Sequence, residues 1–270
     1  MSIASIKDAH IVYLAPFGLP KPEQTVILFV HGLGGSSRQF EEIMNLLAPN
    51  LFPIAIDLPG HGDSEGIVPV SVDGLATIVD GVLSSIGVSG SIYYVGHSFG
   101  GLIGLRFAAL HPRRVGRMVL IATTAKFRLH PDFVDQASSG RWDFSSVQKS
   151  FPSEVPQSRK QIVLLDLMRF HVPSANGTLK AWAGEDAHES LKNIRTPTLV
   201  VVPDADVILS PRHGRALAHL MRDASLHCVS GAGHYVHLER PELLAGIISS
   251  FFTTDNDREV KALQSISCEW

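Results

Sequence analysis

Short apolar runs closed by turn residues alternate along the chain with longer segments whose apolar positions recur at helical spacing. Val26 to Val30, Ile54 to Asp57, Ile92 to Val95, Val115 to Ala122, Thr198 to Val202 and Leu226 to Val229 are predicted strands. Most are continuously apolar rather than alternating, which is expected of strands covered on both faces by crossover helices. Their β-branched content agrees with this. The N-terminal segment from Ile3 to Tyr13 is predicted to form a strand or hairpin on the sheet edge.

Between the strands, Gln39 to Leu47, Val72 to Ile86, Phe99 to Leu110, Pro211 to Met221 and Pro241 to Phe252 are predicted helices. Two of these open on proline, which a first helical turn accepts because its N–H would be unpaired anyway. The rhythm breaks from Thr124 to about Glu189, where helical fragments such as Arg159 to Phe170 are separated by turns and carry many aromatics, including Trp142, Phe170 and Trp182. A structureless loop of that length is uncommon in a compact domain. The expected fold class is therefore α/β, a mostly parallel sheet flanked by helices. Residues 1–123 and 190–254 are its core, 124–189 an inserted helical lid, and 255–270 a polar, loosely held tail.

Composition narrows the function. At 270 residues, 45% hydrophobic and 18% charged, the chain can bury a substantial core. Its formal net charge of -3, with Lys and Arg scattered, supplies no basic stripe for a nucleic acid. No signal-peptide pattern opens the sequence and no apolar run is long enough for a membrane span, so a cytoplasmic protein is expected. Cys228 and Cys268 lie far apart, neither spacing reads as metal or redox chemistry, and a disulfide between them is not expected in a reducing compartment.

Candidate chemistry centres on Gly96-His97-Ser98-Phe99-Gly100, set between a predicted strand and a predicted helix. Glycines on both sides let the chain turn sharply and leave the Ser98 hydroxyl outside the sheet, beside the unpaired N–H groups of the helix start. A serine hydroxyl needs a base within hydrogen-bond reach and a group that orients the base. The strand ends of such a sheet share one rim, and the expected chain order is Ser, acid, His. That order filters thirteen histidines to His234, in the small-residue loop Ser230-Gly231-Ala232-Gly233 after the last strand, with His237 as runner-up. Pro203-Asp204-Ala205-Asp206 offers two acids. Asp206, further from the strand end, is favoured as the orienting acid, and Asp204 is assigned to the turn. The end of the preceding strand, Ala122-Thr123-Thr124, carries no carboxylate. His31-Gly32-Leu33-Gly34-Gly35 lacks the spacing of a phosphate or dinucleotide loop, and the backbone N–H groups of Leu33 and Phe99 are assigned to an oxyanion hole. Asp57 to Ser64 reads as scaffolding of the same rim.

With these residues in place the chain resembles the α/β-hydrolase fold superfamily, in particular its lid-bearing serine esterase, enol-lactonase and carbon–carbon hydrolase branches. HGLGG, DLPGHGDS, GHSFGG, PTLVVVPDAD and GAGHYVHLERPE carry the resemblance, over about residues 20 to 253. Relatives usually have glycine where this chain has Pro203, and the dehalogenases and epoxide hydrolases have aspartate where it has Ser98. The resemblance implies hydrolysis without a cofactor or metal of a small ester or lactone with an apolar acyl or aryl group. Carbon–carbon bond hydrolysis and thioester hydrolysis by the same triad are alternatives, and a non-catalytic ligand receptor on the same fold is an alternative of another class.

Overall fold

The computed structural model describes residues 1–254 apart from 7, 8, 22 and 23, with the side chain of residue 146 left aside. The strands are β1 (Ser2–Ile6), β2 (Ala9–Leu14), β3 (Thr25–Val30), β4 (Leu51–Ile56), β5 (Ile92–His97), β6 (Val115–Ile121), β7 (Thr198–Pro203) and β8 (Ala224–Val229). They form one sheet in the order β1-β2-β4-β3-β5-β6-β7-β8. β1 and β2 form an antiparallel edge hairpin, β2 pairs antiparallel with β4, and the other strands pair in parallel. The sheet and its flanking helices have the expected fold class, and the N-terminal segment is the edge hairpin.

Among the described residues the helices are α1 (Glu41–Leu46), α2 (Val72–Ser85), α3 (Phe99–Leu110), α4 (Pro131–Ser139), α5 (Phe144–Lys149), α6 (Gln157–Arg169), α7 (Val172–Trp182), α8 (His188–Leu191), α9 (Pro211–Leu220), α10 (Val236–Glu239) and α11 (Pro241–Thr253). A 3-10 turn, Ser37–Phe40, takes the start of the helix expected from Gln39. Helices α4 to α8 occupy the chain between β6 and β7 and end at Leu191, two residues beyond the expected edge of the insertion. Among the described residues no helix is long and apolar enough to cross a membrane.

Alternation along each strand divides the core in two. Leu28, Val30, Ile54, Ile56, Tyr94 and Val200 join one apolar cluster with Leu75 and Val79 of α2 and Leu102 of α3. Their neighbours Ile27, Phe29, Ala55, Val95, Val119 and Val201 join a second with Met44 of α1 and Ile248 of α11. Both faces of the sheet are thus dry, which is why these strands read as unbroken apolar runs. Burying a side chain such as Leu28 or Ile54 contributes about 1.5–3 kcal/mol. The expectation of no disulfide between Cys228 and Cys268 involves a residue outside the described part. Cys268 and the tail expected to be loosely held lie outside the described residues.

Helix α3 lies so close to the sheet that two glycines are obligatory. A Cβ on Gly96 would sit 2.5 Å from the carbonyl oxygen of Gly100, and one on Gly100 would sit 2.2 Å from that of Val30. Gly246, on the exposed side of α11, would meet nothing within 4 Å. Gly100→Ala is therefore expected to lower stability by about 1–3 kcal/mol through backbone overlap. Gly246→Ala should raise it by about 0.5–1 kcal/mol through helix propensity. Thermal melting of both variants against the parent checks the opposite signs.

Candidate active site

The sheet order reverses between β3 and β5, and the loops leaving their carboxyl ends diverge around a crevice, the usual ligand position in an open α/β sheet. Ser98 follows β5 at φ 51° and ψ -116°, a conformation that L-residues adopt only when the surroundings impose it. The surroundings are visible. The Ser98 N–H donates to the Ile121 carbonyl at 2.8 Å, while its own carbonyl accepts from Gly101 N at 2.9 Å and from the Thr123 hydroxyl at 2.6 Å. Phe99 is the first residue of α3, so its N–H belongs to the unpaired first turn. A Cβ on Gly32 would approach the Ser98 Cβ to 3.1 Å, which brings the loop carrying Leu33 against the serine.

Asp206 and His234 meet from the ends of β7 and β8. His234 Nδ1 and Asp206 Oδ2 are 2.7 Å apart, with both side chains at most 5% exposed. The other oxygen, Oδ1, accepts from the N–H groups of Ile208 and Leu209, both at 2.8 Å. A carboxylate only accepts, so the proton of the His234 ring lies on Nδ1 and the lone pair on Nε2. Asp204 instead accepts from Gly231 N at 2.7 Å and ties the two loops together. His237, the runner-up base, lies in α10, ahead of Pro241 and α11. It is fully buried, its Nε2 3.3 Å from Gln39 Oε1, and burial followed by the neighbouring His234 lowers it to about 3.

Two other buried histidines serve the backbone. Leu58 N donates to His31 Nε2 at 3.0 Å, so His31 Nδ1 holds the proton and donates to the Gly32 carbonyl at 2.7 Å. Burial lowers His31 to about 4, which keeps it neutral and the loop fixed. His97 Nε2–H donates to the His234 carbonyl at 2.9 Å, and burial followed by His237 holds His97 well below its ordinary value. Asp57 accepts from Ser37 N at 2.6 Å and from Asp63 N at 2.9 Å, the scaffolding expected of the loop that follows β4.

Ser98, His234 and Leu33 line one cavity of about 200 Å³ between the strand ends and the inserted helices. Phe133, Trp142, Leu167, Trp182 and Ile208 give it an apolar wall, and Gln39, Gln136 and Asp143 supply polar groups. Trp182 packs on Phe99, ring centroids 4.8 Å apart, so the wall is continuous with the start of α3. Among the described residues no group of His, Cys, Asp and Glu is arranged to hold a metal ion.

Gln39, Asp166, His97 and Glu239 went unassigned from sequence. Asp166, on α6, is 4% exposed and accepts from Ser36 Oγ at 2.9 Å and Gln39 Nε2 at 2.8 Å, pinning the inserted segment to the core. Its signal was available, because it stands between Val163, Leu167 and Phe170 on a face otherwise apolar. Glu239 lies within the GAGHYVHLERPE run, five residues past His234, and accepts from the N–H groups of Gly233 and Tyr235.

A strained serine between a parallel strand and a helix, opposite an acid–imidazole pair on the same rim, defines a class of α/β enzymes. The model of the alpha/beta hydrolase family matches residues 27–247, and the chain belongs to that family. It is similar to the bifunctional biotin-biosynthesis protein BioHC of Teredinibacter turnerae, 27% identical over 86% of this chain, but spans only 45% of that protein. It is similar also to the pimeloyl-[acyl-carrier protein] methyl ester esterase of Neisseria meningitidis, 28% identical over 83% of this chain and 92% of the esterase. The enol-lactonase of Burkholderia xenovorans shares the fold at a TM-score of 0.83, with 20% identity over 94% of this chain and all of that one.

Asp166 yields a pH prediction. Burial raises its carboxyl from 3.8 to about 6, against the lowering effect of the Gln39 and Ser36 hydrogen bonds. The folded protein thus binds this proton more tightly than the unfolded chain. The associated stability is present in full below about 4 and is lost as pH rises through about 6. Asp166→Asn, which cannot titrate, should show a shallower fall in melting temperature between pH 4 and 7 than the parent protein.

Proposed function

We propose that the chain is a carboxylic ester hydrolase working through an acyl-enzyme, with Ser98 as nucleophile, His234 as general base and Asp206 as the acid that orients it. The observation that carries this is the buried 2.7 Å bond from His234 Nδ1 to Asp206, on the rim of a cavity that also contains Ser98. Nε2 of His234 takes the Ser98 proton as the hydroxyl attacks the ester carbonyl, then returns it to the leaving alcohol; water repeats the cycle on the acyl-enzyme. The N–H groups of Leu33 and Phe99 stabilise the oxyanion, and the helices of residues 124–189 act as a lid that keeps the site dry. The methyl ester esterase among the relatives supports an ester as substrate.

The cavity is smaller than the roughly 300–1,000 Å³ usual for drug-sized ligands, and its wall is mainly apolar. A short, uncharged acyl or aryl group fits it. Ser98→Ala should fold as the parent does and lose nearly all turnover of p-nitrophenyl butyrate. Asp206→Asn, which releases the ring tautomer, should reduce kcat by about 10⁴-fold. The parent should prefer p-nitrophenyl butyrate over the palmitate by kcat/KM. Retained turnover in Ser98→Ala would exclude Ser98 as the nucleophile.

A further inference from the structure

We propose that Glu239 is a positioning residue for this hydrolysis: its carboxylate grips the peptide N–H groups on both sides of His234 and holds the imidazole in register with Ser98. The proposal rests on His234 being the general base. Glu239 closes α10 and is 5% exposed. Its Oε2 accepts from Gly233 N at 2.6 Å and its Oε1 from Tyr235 N at 3.1 Å. These are the N–H groups of the residues before and after His234.

A third tether completes the hold, because His97 Nε2–H donates to the His234 carbonyl at 2.9 Å and His97 immediately precedes the nucleophile. The backbone of the base is therefore fixed at three points, one of them on the segment that carries Ser98. There is little room for the loop to shift: a Cβ on Gly233 would meet the Ser150 carbonyl at 2.3 Å and Glu239 Oε1 at 3.0 Å.

A buried carboxylate is costly unless its oxygens are bonded. The adjacent Arg240 points instead to Glu154, at 3.1 Å, and among the described residues no ion pair includes Glu239. Desolvation pushes its carboxyl up to about 7, against the lowering effect of the two backbone bonds. What this side chain does hold is the pair of peptide groups. Among the described residues the one hydrogen bond to the His234 ring is that to Asp206. If the flanking peptides tilt, the ring pivots about that bond and Nε2 moves relative to Ser98. Glu239 does not line the cavity, so its loss should slow the chemical step and leave substrate binding intact.

The test compares Glu239→Gln, which keeps one carbonyl acceptor, with Glu239→Ala, which keeps none. His234→Ala is measured beside them, on p-nitrophenyl butyrate, with circular dichroism and melting curves for each variant. A misplacement near 1 Å costs about 100-fold, so kcat should fall about 100-fold in the alanine variant and about tenfold in the glutamine variant. KM should stay within about twofold of the parent value, and labelling of Ser98 by a fluorophosphonate should slow in parallel. If the alanine variant does not fold, the glutamine variant decides. A kcat within about twofold of the parent in the folded variants, with His234→Ala inactive, overturns the positioning role and leaves the general-base reading intact. A His234→Ala variant that turns over normally overturns the general-base reading, and the positioning role with it.

Discussion

The turn at Ser98 depends on how closely α3 can lie against the sheet. A helix that starts where a buried strand stops must reverse direction within one residue, and the only space for that reversal is where Gly96 and Gly100 have no side chain. The unfavourable φ of 51° at Ser98 is then enforced from outside, by the Ile121 carbonyl and the Thr123 hydroxyl of the neighbouring strand and its loop. That strain leaves the hydroxyl exposed to the cavity while the first turn of α3 presents unpaired N–H groups beside it. Everything else on the rim is arranged around this fixed point.

Buried polar groups do most of that arranging. His31 and His97 are driven to the neutral form by desolvation, and each spends a ring N–H on a backbone carbonyl of a loop at the site, Gly32 for one and His234 for the other. Asp206 divides its oxygens between its own turn and the imidazole, while Glu239 spans the peptides around His234. His234 is thereby held through its backbone as well as its ring. In the proposed hydrolysis, such preorganisation would let a weak nucleophile work without reorganisation at the moment of reaction.

The core was legible in sequence because its physics is local. A strand dry on both faces has to be apolar throughout, and β3, β5 and β7 read so; α3 began and ended where the glycine turn and periodicity put it. At the candidate site, chain order and loop chemistry were enough to select Ser98, Asp206 and His234, of which the structure pairs the last two. The supporting residues were not, because their roles come from contacts distant in sequence. Gln39 meets Asp166 across 127 residues and His237 across 198, and no local pattern announces either. Asp166 was detectable as a charge on a buried helical face, but its partner was not.

The central claim is that one imidazole stands between a hydroxyl and a carboxylate brought together from three strand ends. A crystal structure of the protein reacted with a fluorophosphonate tests it most directly. The account predicts a single adduct on Ser98 Oγ, a phosphoryl oxygen within about 2.7–3.1 Å of the N–H groups of Leu33 and Phe99, and His234 Nε2 facing the adduct. An adduct on another residue, or on Ser98 with the His234 ring turned away from it, would contradict it.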